Sequence, residues 1–317
     1  MKKLMLVLVL LALLVVPSTA LAEEPNSVWY VPGDFATIQD AVDDSDVVDG
    51  DTIQVGPGNF AGAEVNKSVT IKGEGQAVID SGPMHPAGLS QGFRLLAGSD
   101  GATLSHLTFD EVDLAVMNGA AVNDVTVTHC RFNNAIQAVS NWEGSGWEIS
   151  HNTITDLRTR NGGGIGILIA DWTGGTVSNN VVAHNNVSGT LHVAPNDGGG
   201  YNGSGIVLYA DFRWGWAGAE EISHNHVVKN KVSLVSDTPD VVDVAAFELS
   251  ESYYPNPHPG PGSIVTIDNS IGFNDFRGTA LQIDLTPEEL VDYNDISRNL
   301  GENRGHGLHP SLFGPGG

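Results

Sequence analysis

Three carboxylates sit near the ends of similar apolar stretches: Asp171 closes GIGILIAD, Asp211 closes GIVLYAD, and Glu251 lies in FELSES. Trp172 and Phe212 follow the first two directly, Tyr253 comes two residues after the third, and an earlier stretch ends in SNW at Trp142. Acids on equivalent, neighbouring strands suit glycosidic bond cleavage, where carboxyls about 5 Å apart serve a retaining mechanism and a wider gap an inverting one. A like charge close by also raises the pKa of one partner, as a general acid requires. The same oxygens suit Ca2+, bridging an acidic protein to a uronate, with Arg213 aiding a lyase-like reaction. Flat rings beside polar groups suit pyranose faces and hydroxyls. Asp171, Asp211 and Glu251 are therefore candidate catalytic residues, or alternatively Ca2+ ligands, and Trp142, Trp172, Phe212, Arg213, Trp214 and Tyr253 are candidate substrate-binding residues.

Register decides whether these groups meet. Aligned by their ends, GIGILIAD and GIVLYAD set Asp171 beside Asp211; aligned by their starts, they set it beside Phe212. A one-residue slip moves a side chain to the opposite face of a strand.

The elements that must carry these residues are repeats. LSHLTFDEV from Leu104, VTHCRFNNA from Val127, ISHNTITDL from Ile149, VSNNVVAHN from Val177, ISHNHVVKN from Ile222, IDNSIGFND from Ile267 and VDYNDISRN from Val291 share one pattern. Their starts lie 23, 22, 28, 45, 45 and 24 residues apart. A basic turn of 22 to 24 residues with additions in loops marks a solenoid, and period-two apolar residues make its elements strands rather than helices. The chain therefore reads as an all-β protein, a single-stranded right-handed parallel β-helix. The fourth position of the phrase holds Leu107, Cys130, Asn152, Asn180, Asn225, Ser270 and Asn294. Amides stacked about 4.8 Å apart form a hydrogen-bonded ladder, so these asparagines are structural. Cys130 in that column reads as a small buried residue, and HNH at 224–226 as part of a strand rather than a metal cage. Insertions around 186–204, 213–219, 231–243 and 252–262 crowd the middle coils, where they build the walls of a cleft; His192, Tyr201, Trp216 and His258 lie in or beside them.

Before the repeats, GDFATIQDAV from Gly33 sets Ile38, Ala41 and Val42 at helical spacing behind Asp34 as a cap. That describes a short helix closing the open end of the solenoid. DGDTIQVGPGNF from Asp49 and KSVTIKGEG from Lys67 supply the first strands. The combination of DFATIQDAV, GDTIQV and PGNF resembles the start of the pectin lyase-like right-handed β-helix superfamily, which includes pectin methylesterases and periplasmic repeat proteins. The resemblance implies the fold over most of the chain and a polysaccharide as partner. It implies no single activity: the polygalacturonase, esterase and pectate-lyase motifs are missing, and Gly305-His306-Gly307 matches only a fragment of the first.

Charge and leader narrow the function classes. With 38 acidic and 14 basic residues, a formal charge of -24, the chain is a poor nucleic-acid binder. MKK, an apolar run from Leu4 to Val16 and Ala20-Leu21-Ala22 read as a Sec signal peptide over 1–22, too short for a membrane span and cleaved after Ala22. Residues 23–317 then form one exported domain, with a cap over about 34–60 and coils over about 67–300. Asn66, Asn186 and Asn202 head Asn-X-Ser sequences. Two functions stand side by side: an exported protein that binds or cleaves an acidic glycan, as a lyase or glycoside hydrolase, and a non-catalytic surface or periplasmic β-helix for adhesion, scaffolding or metal delivery.

Overall fold

A computed structural model describes residues 26–160, 163–171, 174–195, 202–212, 221–252, 264–307 and 312–315. The stretch read as a signal peptide lies outside these residues, and among them no helix is long and apolar enough to cross a membrane. Nearly all regular structure is strand, and every ladder between strands is parallel. The strands form a ten-stranded, a nine-stranded and a seven-stranded sheet that run along the molecule, with a fourth of three strands. The chain visits each sheet in turn before rising one coil, which makes a parallel β-helix.

Stacking turns equivalent residues into columns. In the ten-stranded sheet, Ile53, Ile71, Leu104, Val127, Ile149, Val182, Val227, Ile271 and Ile296 pair in sequence. All but the last are buried. Burial of each such side chain is worth about 1.5–3 kcal/mol, so this one column holds neighbouring coils in register. Phe109 and Phe132 stack at 4.7 Å between ring centres in the same core.

Corners between sheets present the harder problem, because a bend buries backbone groups that the ladders leave unpaired. After each strand of the ten-stranded sheet from Thr103–Ser105 on, one residue takes left-handed backbone: His106, His129, His151, His184, Lys229, Phe273 and Arg298, with φ between 54° and 60°. From the third coil on, the next residue is asparagine. Asn185, Asn230, Asn274 and Asn299 each accept, on Oδ1, both the backbone N–H and the Nδ2 of the asparagine one coil before, starting from Asn152, at 2.9–3.0 Å. A second ladder runs through Asn180, Asn225, Asn269 and Asn294 at 2.8–3.0 Å, behind left-handed Asn179, His224 and Asp268.

There are thus two asparagine columns where the repeated phrase suggests one. Ile149 pairs with Val182 rather than with Val177, because an extra strand, Thr176–Ser178, enters the coil there and founds the three-stranded sheet with Glu221–Ser223 and Thr266–Ile267. Leu107, Cys130 and Asn152 belong to the first corner and Asn180, Asn225 and Asn294 to the second, while Ser270 lies in a strand opposite His226. ISHNHVVKN carries one rung of each ladder, Asn225 and Asn230.

The helix Ile38–Asp43 buries Ile38, Ala41 and Val42, but its cap is Thr37 rather than Asp34. Thr37 and Asp40 form a reciprocal capping box, while the Asp34 carboxylate accepts the Tyr30 N–H at 2.9 Å. Cys130 stands just below Asn152: its N–H donates to Asn152 Oδ1 at 2.9 Å, and its Sγ lies 3.7 Å from the Leu104 carbonyl. Burial pushes its thiol pKa up to about 12, which removes it as a nucleophile.

Two outcomes follow from this construction. Asn185→Ala removes the acceptor of the Asn152 N–H and of one Nδ2 hydrogen of Asn152, leaves the Ile149 carbonyl without its amide donor and removes the Nδ2 bond to Asn230 Oδ1. It lowers unfolding stability by about 3 kcal/mol in denaturant titration, whereas Asn133→Ala at an exposed position changes it by less than about 0.5 kcal/mol. The Cys130 thiol stays unreactive toward Ellman's reagent at pH 8 in the native protein and reacts once the chain is unfolded.

Candidate active site

Along the nine-stranded sheet, side chains alternate between the core and the outer face. From Ile167 on, Ile167 and Ile169 join the core, as do Ile206, Leu208 and Ala210 on the next strand and Phe247 and Leu249 on the one after. Leu168, Ala170, Val207 and Tyr209 form part of a separate buried cluster on the outer face.

This frame sorts the candidate residues. Asp171 pairs with Ala210, and Ala210 with Glu251, so Asp171 and Glu251 share the core-side column two coils apart with Ala210 between them. Asp211 stands one position further on, opposite Ser252, in the frame of Val207 and Tyr209. The expected side-by-side row of three acids is therefore not formed: the strands align neither by their ends nor by their starts as GIGILIAD and GIVLYAD are written. Asp171 and Glu251 hold turns instead. Asp171 Oδ1 accepts the Gly174 N–H at 3.0 Å, and Glu251 Oε1 accepts those of Val265 and Thr266 at 2.9 and 2.7 Å. Among the described residues no group of three or more His, Cys, Asp or Glu side chains is placed to hold a metal ion, and these three acids offer no common centre for Ca2+.

The aromatic residues separate in the same way. Trp142 is buried in the outer-face cluster, against which Leu312 and Phe313 of the C-terminal segment pack, while Phe212 packs on the core. They do not form one exposed strip. Trp172, Arg213, Trp214 and Tyr253 lie outside the described residues, as do Tyr201, Trp216 and His258; His192 is exposed and lies 3.5 Å from Asp237.

The outer face carries a different pair of acids. Glu248 and Asp284 are directly in register on adjacent strands, and both are 0 % exposed. Each is held by hydroxyls: Ser204 and Ser250 donate to the two oxygens of Glu248 at 2.7 and 2.9 Å, and Thr286 donates to Asp284 Oδ2 at 2.8 Å. Adjacent strands lie about 4.8 Å apart, the separation at which two carboxyls act on one bond by a retaining route. Asp211 lies on the same face, one strand before Glu248. Gly305 is the register partner of Asp284, while His306 points to Glu288 at 2.7 Å on the surface. The sequence carries a signal for this pair: FELS at 247–250 and IDLT at 283–286 share one pattern, apolar, acid, leucine, hydroxyl.

Further along this face the C-terminal segment lies against the earlier coils. Gln137 bonds Phe313 through both ends of its amide, Phe313 N–H to Oε1 at 2.7 Å and Nε2 to the carbonyl at 3.3 Å. The His85 ring meets the Gly314 carbonyl at 2.9 Å and the edge of Phe313.

Comparison with known proteins fits this architecture. Residues 90–245 match the family described as right handed beta helix region. A cell surface glycoprotein of Methanothermus fervidus is 29% identical over 152 residues, which are 45% of this chain and 23% of that protein. The chain thus spans about a quarter of the length of this relative. Two solved structures are similar at low identity. The catalytic domain of a GH87 alpha-1,3-glucanase in complex with tetrasaccharides is 12% identical with a TM-score of 0.35, over 90% of this chain and 68% of that one. The tailspike protein gp49 of Acinetobacter baumannii bacteriophage Fri1, a capsular polysaccharide depolymerase, is 11% identical with a TM-score of 0.33, over 82% and 58%. Parallel coils, stacked core columns and the family match over the middle of the chain agree: this is a right-handed parallel β-helix protein.

Proposed function

We propose that the protein is exported, binds a polysaccharide along the outer face of the nine-stranded sheet and cleaves it with Glu248 and Asp284. The observation that supports this most is the register pairing of the two carboxylates, each fixed by hydroxyl donors. In this reading one carboxyl protonates the leaving glycosidic oxygen while the other attacks the anomeric carbon. Water then hydrolyses the glycosyl ester, with the first residue taking the water's proton. Asp211, four residues along its strand from the Val207 that faces Glu248, binds sugar hydroxyls further down the face, and Trp172, Arg213, Trp214 and Tyr253 keep the sugar-holding role that their residue types suit. The signal-peptide reading and the cell surface relative support an extracellular location.

Complete burial of both acids favours a second reading, a non-catalytic surface β-helix in which the pair and its hydroxyls brace the last coils. Turnover separates the two. Against a panel of acidic and neutral polysaccharides, the wild-type protein releases reducing ends from at least one member. Glu248→Gln and Asp284→Asn each reduce that rate at least about 100-fold with an unchanged thermal midpoint. A folded Glu248→Gln protein with full activity removes this pair from the chemistry, and no cleavage anywhere in the panel leaves the non-catalytic reading standing.

A further inference from the structure

The first corner of the solenoid carries a feature that the outer-face chemistry does not use. His106, His129, His151 and His184 occupy four successive left-handed positions, and their rings stack face to face with centres 5.1, 5.0 and 4.9 Å apart and planes within 12°. Left-handed backbone costs a side-chain-bearing residue about 1–2 kcal/mol, and glycine or asparagine meets it at less strain. Lys229, Phe273 and Arg298 show that the corner imposes the backbone and leaves the side chain open. All four imidazoles are exposed. Stacking turns their faces toward one another and leaves the ring edges outward, with His129 Nδ1 meeting the Thr128 hydroxyl at 2.8 Å.

Beside the ladder runs an open groove of about 390 Å³. His106, His129 and His151 form one wall; Thr108, Arg131 and Thr153, which are register partners on the next strand, form the other. No Asp or Glu lines it, in a chain where acids outnumber Lys and Arg 38 to 14. Arg131 is exposed and makes no ion pair among the described residues. The charged groups on the flanking elements are Lys72 and Glu74 one coil below, Asp110 and Glu111 beyond Arg131, Glu148 on the strand leading to His151, Asp156 and Arg158 beyond Thr153, and Lys229 one coil above His184. The Ser150 hydroxyl already occupies one Glu148 oxygen at 2.9 Å, and Asn133 Nδ2 donates to Asp110.

We infer that this groove is a second glycan site, which holds a carboxylate-bearing polysaccharide across three coils and tightens as the histidines become protonated. An extended pyranose chain repeats its carboxylates at a rise comparable with the spacing of the coils, so successive uronates meet successive imidazoles, with Arg131 as the permanent cation. The direction with pH follows from the ladder itself. Burial, then the neighbouring charges of His129 and Lys72, hold the His106 pKa below its ordinary value, so in the free protein His106 gains its charge only on acidification. A bound polyanion offsets the mutual repulsion of the imidazolium row, so the imidazoles take up protons as it binds. Uronate carboxylates remain ionised well below the range in which histidine titrates. The site is separate from the Glu248–Asp284 pair and does not depend on cleavage there.

The probe is a hexamer of galacturonate, with neutral dextran as control, and the readout is binding to the full folded chain by calorimetry. Between about pH 7.5 and about pH 5, affinity for the hexamer rises about tenfold, as expected from several weak surface charge contacts acting together, and dextran shows no such rise. The double variant His129→Asn, His151→Asn keeps residues that accept left-handed backbone and loses most of the pH effect. Arg131→Ala weakens hexamer binding severalfold at both pH values. In the wild-type protein, NMR titration of the imidazole protons shows the pKa values of His129 and His151 rising when the hexamer is present, which tests the site without any variant. Equal affinity at the two pH values, a folded double variant with the full pH effect, or unmoved imidazole pKa values would overturn the inference. Because binding is the readout, a chain that cleaves no polysaccharide can still meet this test.

Discussion

The asparagine ladders are the constraint on which the rest of the molecule rests. A coil turns a corner by placing one residue in left-handed backbone and the next side chain in the core, and the buried backbone there needs partners. Each asparagine amide supplies them to the coil before it and receives the same from the coil after it. The corner position is thereby fixed to within one residue in every coil from Asn152 on. Once two such corners are fixed, as they are from Asn180 onward, the strands between them have no freedom to slip, and column membership becomes a property of position in the coil.

Column membership in turn decides which chemistry is available. Acids one coil apart are brought to strand spacing whether or not their charges favour it. Glu248 and Asp284 show how such contact is tolerated: each carboxylate keeps hydroxyl donors in place of the water it has lost. At the exposed corner the same stacking produces the opposite surface, a row of imidazoles with no acid along its groove. Solvent takes up part of the cost of charging it, so this row can change charge with pH while the fold stays intact.

The legible parts of the sequence were those set by repetition. Period-two apolar residues, the recurring asparagine and the amphipathic stretch at Ile38, Ala41 and Val42 were enough for a solenoid with a helical cap. Cys130 was legible as a buried filler because it stands in the asparagine column. The inserted strand Thr176–Ser178 was not legible: VSNN resembles VAHN five residues later, and only the pairing of Val182 with Ile149 shows which of them continues the older column. The acids were misplaced for the same reason. Asp171, Asp211 and Glu251 attract notice because each lies close to an aromatic residue, a local cue. Glu248 and Asp284 are matched by their place in FELS and IDLT, which takes meaning only after Phe247 and Ile283 are known to share a column.

Local composition and column position therefore carry different kinds of information in this fold. An acid at the end of a strand faces backbone N–H groups released by the following turn, and Asp171 and Glu251 each commit one carboxylate oxygen to them. An acid in mid-strand on the outer face has its neighbours set by the sheet, with no turn to serve, and its carboxylate is left for hydroxyls, for another acid or for a ligand. In a parallel β-helix the search for reactive groups accordingly belongs in the middle of the strands and at the exposed corners. Strand ends, however rich in acids and rings, are where the coil spends its polar groups on bending.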